Sequence, residues 1–172
     1  NGTYTEKTVP TLVKTEEGIL SNVSSVSAGV KTSMAVTFDG KVYVWGDNTN
    51  KKLGVTASKI AYATEITAVY DKEGNEIELK EMEIVETGKN HSSISDKDGY
   101  VYSVGLNTNG QLGTEDNTNR VVFTKIGRIE IITNPENIQI PVNTEKDVSI
   151  ALSNSFNLKS DVTEDGELEL NN

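Results

Sequence analysis

At 172 residues with 35% hydrophobic content, the chain can fill one good core, or a smaller core beside a second partial one. Sixteen Lys and Arg against 26 Asp and Glu leave a formal charge of −10, which argues against a surface for nucleic acid, where phosphates call for clustered bases. The absence of cysteine excludes disulfides, thiolate metal sites and a Cys nucleophile, and no apolar run reaches membrane-spanning length, so no membrane insertion is expected.

Residues 1–22 hold Val9-Pro10-Thr11-Leu12-Val13, which resembles Val122-Phe123-Thr124-Lys125-Ile126 further on. The chain is therefore expected to open partway through a repeat, with no leader in front of it. Residues 23–81 and 82–127 are two copies of one pattern. Gly29 lies over Gly88, an offset of 59 residues, and the same offset carries Ser33 onto Ser92 and Asp39-Gly40 onto Asp98-Gly99. Val42-Tyr43 then meets Val101-Tyr102, Gly46 meets Gly105, and Leu53-Gly54 closes the first copy as Leu112-Gly113 closes the second. In each copy an alternating strand, an Asp-Gly hairpin dipeptide and a β-branched, aromatic strand predict an antiparallel meander. Val42-Tyr43-Val44-Trp45 is apolar on both faces, which suits a sheet stacked between two others, and the two copies should place Tyr43 and Tyr102 in like surroundings. Between the copies, Val69 to Ile77 reads as a protruding hairpin around Glu73-Gly74-Asn75. The second copy carries Ser93 and Ser95 where the first has Met34 and Val36, so one of its faces is poorer in apolar residues.

Residues 128–172 leave the repeat. Short alternating stretches at 128–133, 138–142, 147–152 and 154–162 predict strands. Two readings fit: the opening strands of an immunoglobulin-like domain, or a β-rich linker that continues the last sheet and frays into the acidic tail from Glu164 to Asn172.

Ala28-Gly29, Asp39-Gly40, Val42-Tyr43-Val44-Trp45-Gly46 and Leu53-Gly54, matched by His91-Ser92, Asp98-Gly99, Val101-Tyr102, Gly105 and Gly110-Gln111-Leu112-Gly113, resemble the regulator of chromosome condensation repeat. The resemblance spans residues 1–127 and implies an all-β fold of antiparallel propeller blades, four strands to a blade, with about two complete repeats and a partial one.

Residues with possible chemistry have simpler readings. His91, the one histidine, stands beside Ser92 and near Asp96 and Asp98, but its counterpart in the first copy is Thr32, so a Ser-His-Asp site is not expected. Asp96-Lys97-Asp98-Gly99 and Asp71-Lys72-Glu73-Gly74 are fragments of calcium-loop patterns without the remaining ligands, and read as turns. Gly46, Gly54, Gly105 and Gly113 are expected at positive φ or at close blade contacts. Trp45, Tyr43 and Tyr102 read as interblade packing rather than a carbohydrate platform, Lys51-Lys52 as a solvated loop tip, and the sequons at Asn1, Asn22 and Asn90 as chance triplets. No catalytic, cofactor or metal residues are assigned. The expected role is a non-catalytic recognition module within a larger bacterial surface or secreted protein, extracellular or at the cell surface, with a protein partner and self-association through exposed blade faces. The resemblance also implies two alternatives, a guanine-nucleotide exchange factor for a small GTPase and an inhibitor of a secreted hydrolase.

Overall fold

The computed structural model describes residues 1–128 and, beyond them, the backbone of three strands within 148–171. Two compact units divide at Gly127 and Arg128. In the first, β1 (Val23–Gly29), β2 (Thr32–Thr37), β3 (Val42–Asp47) and β4 (Lys59–Ile66) form a meander in chain order, each pair antiparallel. Two short strands follow, β5 (Val69–Tyr70) and β6 (Glu76–Ile77). The second sheet repeats the meander with β7 (Met82–Thr87), β8 (His91–Asp96), β9 (Tyr100–Gly105) and β10 (Arg120–Arg128), and carries β5 and β6 outside β10. A single 3-10 turn at Thr49–Lys51 is the only helical segment among the described residues, and none is long and apolar enough to cross a membrane.

Local chemistry explains the meanders. At both Asp-Gly dipeptides the glycine takes the left-handed backbone the turn requires, with φ 79° at Gly40 and 82° at Gly99. The Gly40 N–H donates to Thr37 O and the Gly99 N–H to Asp96 O, so the turn closes identically in both copies.

The strand period of two then decides what meets what. Met34, Val36, Val42 and Val44 share one face of the first sheet and are wholly buried. They join one core with Met82, Val85, Ile94, Tyr102, Val104 and Phe123 of the second sheet. Each such side chain contributes about 1.5–3 kcal/mol on burial, so this seam is the main adhesive of the unit.

Several expectations need correction. Tyr43 and Tyr102 sit on the same face of equivalent strands, yet Tyr102 is buried and Tyr43 half-buried. The cause is position: the face bearing Tyr102 is turned to the first sheet, while that bearing Tyr43 is the first sheet's other face. The poorer face expected of the second copy is present: Ser93 and Ser95 are half-buried where Met34 and Val36 are enclosed. Val9 to Val13 forms no strand, and Val9 and Leu12 are exposed.

The segment Val69–Ile77 does not protrude. β5 runs parallel to β10 through the pairing of Tyr70 with Thr124, Val69 is fully buried, and Ile77 packs against the core. A two-stranded hairpin is marginal alone, and β10 would otherwise offer a row of unpaired backbone groups, so each satisfies the other. A smaller version precedes the first sheet. Lys14 and Ile19 bridge around a turn at Thr15 to Gly18, and the Ala63 N–H of β4 donates to Lys14 O at 2.8 Å. The linker hairpin is itself part of the repeat.

In the second unit, β11 (Val148–Leu152), β12 (Phe156–Val162) and β13 (Leu168–Asn171) form an antiparallel sheet in that order. The expected strands around 147–152 and 154–162 are present, and Leu168–Asn171 is a paired strand rather than a frayed tail. Of the expected strands at 128–133 and 138–142, the first is described only at Arg128, the last residue of β10, and the rest of both lies outside the described residues.

Candidate functional site

The residues with chemical potential are taken up by the seam and its loops. His91 and Ser92, adjacent on β8, point to opposite faces, so imidazole and hydroxyl cannot share a proton. Ser92 Oγ is buried without a hydrogen-bond partner. Asp96 is buried and accepts from the Tyr102 hydroxyl at 3.0 Å and the Tyr100 N–H at 2.9 Å. Burial, then the Asp96 carboxylate, raises the Tyr102 phenol well above its ordinary range. Asp98 pairs with Lys80, and Asp71 accepts from the Asn75 N–H and side-chain amide as a hairpin turn. Among the described residues no cluster of three or more His, Asp or Glu could hold a metal ion.

Gly46, Gly54, Gly105 and Gly113 all have positive φ. At Gly46, with φ 105°, a Cβ would stand 2.4 Å from Lys31 O, and at Gly105 a Cβ would stand 2.5 Å from Asn90 O. Trp45 is half-buried against the core, as packing rather than a free platform.

Two features have structural roles that the sequence reading did not assign. Asn48 and Asn107, buried at equivalent positions, each organise the loop that follows β3 or β9. Asn48 donates to Val55 O and Ala57 O and accepts from the Leu53 N–H; Asn107 donates to Thr114 Oγ1 and Asp116 O and accepts from the Leu112 N–H. The recurring Asn at the 59-residue offset was the signal. Lys52 overturns the solvated-tip reading of the Lys51-Lys52 pair. It is 2% exposed, and its ammonium donates to Val30 O at 2.7 Å and to Lys89 O at 3.3 Å, with Asp47 Oδ2 at 3.4 Å. Since Val30 lies in the β1–β2 turn and Lys89 in the β7–β8 turn, Lys52 ties the two sheets together.

Among the described residues, loop surface and a groove on the first sheet are open to a partner. The tip Lys72 to Asn75 is exposed, and Lys72 pairs with Glu115 at 2.9 Å, joining the linker hairpin to the loop before β10. A cavity of about 290 Å³ opens on the first sheet, lined chiefly by Thr15, Ser21, Asn22, Asp39, Lys41 and Tyr43.

Residues 23–51 and 98–158 match two sequence profiles of the regulator of chromosome condensation (RCC1) repeat. The chain belongs to the RCC1 repeat family. Among RCC1-repeat relatives, Protein pim1 of Schizosaccharomyces pombe is 31% identical over 134 residues, 73% of this chain and 24% of pim1. The human X-linked retinitis pigmentosa GTPase regulator is 29% identical over 144 residues, 83% of this chain and 12% of the regulator. Prp20p of Saccharomyces cerevisiae, solved in a study of its binding to Gsp1p and histones, superposes with a TM-score of 0.52 at 18% identity, over 62% of this chain and 26% of Prp20p. The chain thus spans about a quarter or less of these relatives. Its two sheets are blades of an RCC1-type β-propeller.

Proposed function

We propose that this chain is a non-catalytic recognition module, a blade pair that holds loops rigid for a protein partner. The observation that carries the reading is the commitment of Asp96 to Tyr102 and Tyr100, with His91 and Ser92 on opposite faces. Asp96, which sequence proximity set beside His91 and Ser92, is an internal strut of the second sheet. The partner surface is the exposed hairpin tip Lys72 to Asn75 with the loop around Glu115, held by their ion pair on a docked hairpin. Alanine at Lys72, Glu73 and Asn75 together should abolish partner capture by the full protein while leaving its circular dichroism unchanged. Capture unaffected by those three changes would refute the assignment.

A regulator of a small GTPase is the second reading, favoured by the relatives: one is named a GTPase regulator, and Prp20p was studied for binding to Gsp1p. Accelerated nucleotide release from a GTPase by the full protein would select it over simple recognition. We place the protein at a bacterial surface or outside the cell on the sequence reading of residues 128–172 as immunoglobulin-like; surface labelling of intact cells tests that placement. Inhibition of a secreted hydrolase would fit the same setting and is tested by titration against such enzymes.

A further inference from the structure

With 26 acidic residues against 16 basic ones, this chain has carboxylates to spare for its cations, and ion pairs engage Lys41, Lys52, Lys72, Lys80, Lys97 and Arg120. Three lysines outside those pairs meet at one end of the seam between the two sheets. The Lys52 ammonium donates to Val30 O at 2.7 Å and to Lys89 O at 3.3 Å, and so holds the β1–β2 and β7–β8 turns on either side of itself. Lys31 follows Val30 in the first turn, Lys89 stands in the second, and Lys51 precedes Lys52. Lys31 and Lys89 are exposed and Lys51 is half-exposed, and none of the three is paired with a carboxylate among the described residues. The nearby carboxylates are engaged elsewhere. Asp47 faces Lys52 and accepts from the Thr49 N–H and hydroxyl, and Glu86, three residues before Lys89, accepts from the Ser27 hydroxyl at 3.1 Å. The repeat shows that the fold does not require lysine at these places. At the 59-residue offset Lys31, Lys51 and Lys52 meet Asn90, Gly110 and Gln111. Lys51 and Gly110 share a left-handed backbone, with φ 57° against 73°, and Lys31 has φ 60°. Glycine adopts that region freely, whereas a lysine there is strained. Two lysines are thus held in an unfavourable conformation close to a third of like charge, beside the exposed apolar Val30.

We propose that this end of the seam binds an acidic, extended segment of a protein partner, with carboxylates on Lys31, Lys51 and Lys89 and an apolar side chain over Val30. The surface adds to the recognition role proposed above, on which it rests, and is made by residues other than those of the hairpin tip at Lys72 to Asn75. Charge complementarity selects the occupant. Three cations around one apolar residue match a short run of Asp and Glu interrupted by an apolar side chain. A nucleic acid would carry its phosphates past the patch onto a chain of net charge −10, where repulsion within a screening length of about 8 Å opposes it. The Lys52 tie also fixes the spacing of the two turns before any ligand arrives, so binding does not have to order them.

Fluorescence anisotropy with the full chain tests the site, using a labelled glutamate peptide with one central leucine and its glutamine counterpart. The wild type should bind the glutamate peptide, more weakly as salt rises, and should not bind the glutamine peptide. Lys31→Gln and Lys89→Gln should each weaken binding about two- to fivefold, and together by the product of the two, with circular dichroism unchanged. A charge-matched control, Lys7→Gln with Lys14→Gln, changes two exposed lysines that precede β1 and should bind as the wild type does. Alanine at Lys72, Glu73 and Asn75 should likewise leave peptide binding intact, so that failure at the hairpin and failure at the seam are read separately. No binding by the wild type, an equal loss in the control pair, a loss in the hairpin variant, or a preference for an oligodeoxythymidine of similar length would each overturn the proposal.

Discussion

Lys52 shows how a residue's neighbours decide its role. A buried ammonium survives only when its donors are used, and here two backbone carbonyls and the Asp47 carboxylate receive them. Lys52→Met keeps the length of the side chain but strips both carbonyls of their donor, and should cost about 1–3 kcal/mol of stability by urea denaturation. The Lys51 side chain is half-exposed and its ammonium donates to Thr56 O, so Lys51→Ala should change stability by no more than about 0.5 kcal/mol. Asp116 offers a pH test. Hydrogen bonds from the Arg120 guanidinium and then the Thr118 N–H hold its carboxyl down to about 2, against an ordinary 3.8. With the folded value below the unfolded one, its contribution is present above the ordinary carboxylate range and is lost as pH falls through that range toward 2. A carbon-detected NMR titration should find the Asp116 midpoint near 2, returning toward the ordinary range in Arg120→Leu.

At the scale of elements, the linker hairpins are edge protection. β10 is covered by β5 in parallel, and β4 accepts the segment around Lys14. Replacing residues 69–77 with a flexible linker of equal length should leave β10 with unpaired backbone groups and uncover the core beside Val69. Its expected result is aggregation, read as light scattering on warming at temperatures where the wild type stays clear. The turn between β3 and its loop is equally constrained. Gly46→Ala must accommodate both φ 105° and a carbonyl at 2.4 Å, so it should destabilise by more than about 1 kcal/mol in the same urea assay.

At the scale of the molecule, the two blades share one core, and neither has a buried side of its own without the other. Residues 1–127 should therefore open as one cooperative unit. Hydrogen exchange followed by mass spectrometry should give β2, β3, β8 and β9 a common opening free energy, and early exchange of one blade alone would contradict a shared core. The repeat, the Asp-Gly turns, the meanders and the buried aromatic strands could be read in the sequence because each depends on local backbone preference or on a strand period of two. Equivalent residues with different fates could not. Tyr43 and Tyr102 have the same local sequence role, and only the side on which a neighbouring blade lies separates them. Lys52 reads as solvent-facing until the two turns whose carbonyls it joins are brought together. The hairpin at Val69–Ile77 was legible as a hairpin, but its place on β10 depends on a pairing with residues more than fifty positions away. The sequence by itself determined the repeating unit, since turns and strand alternation are written within a few residues. Tertiary structure alone decided which face of each unit is covered and which polar group becomes a strut, because burial is a property of the neighbour and not of the residue.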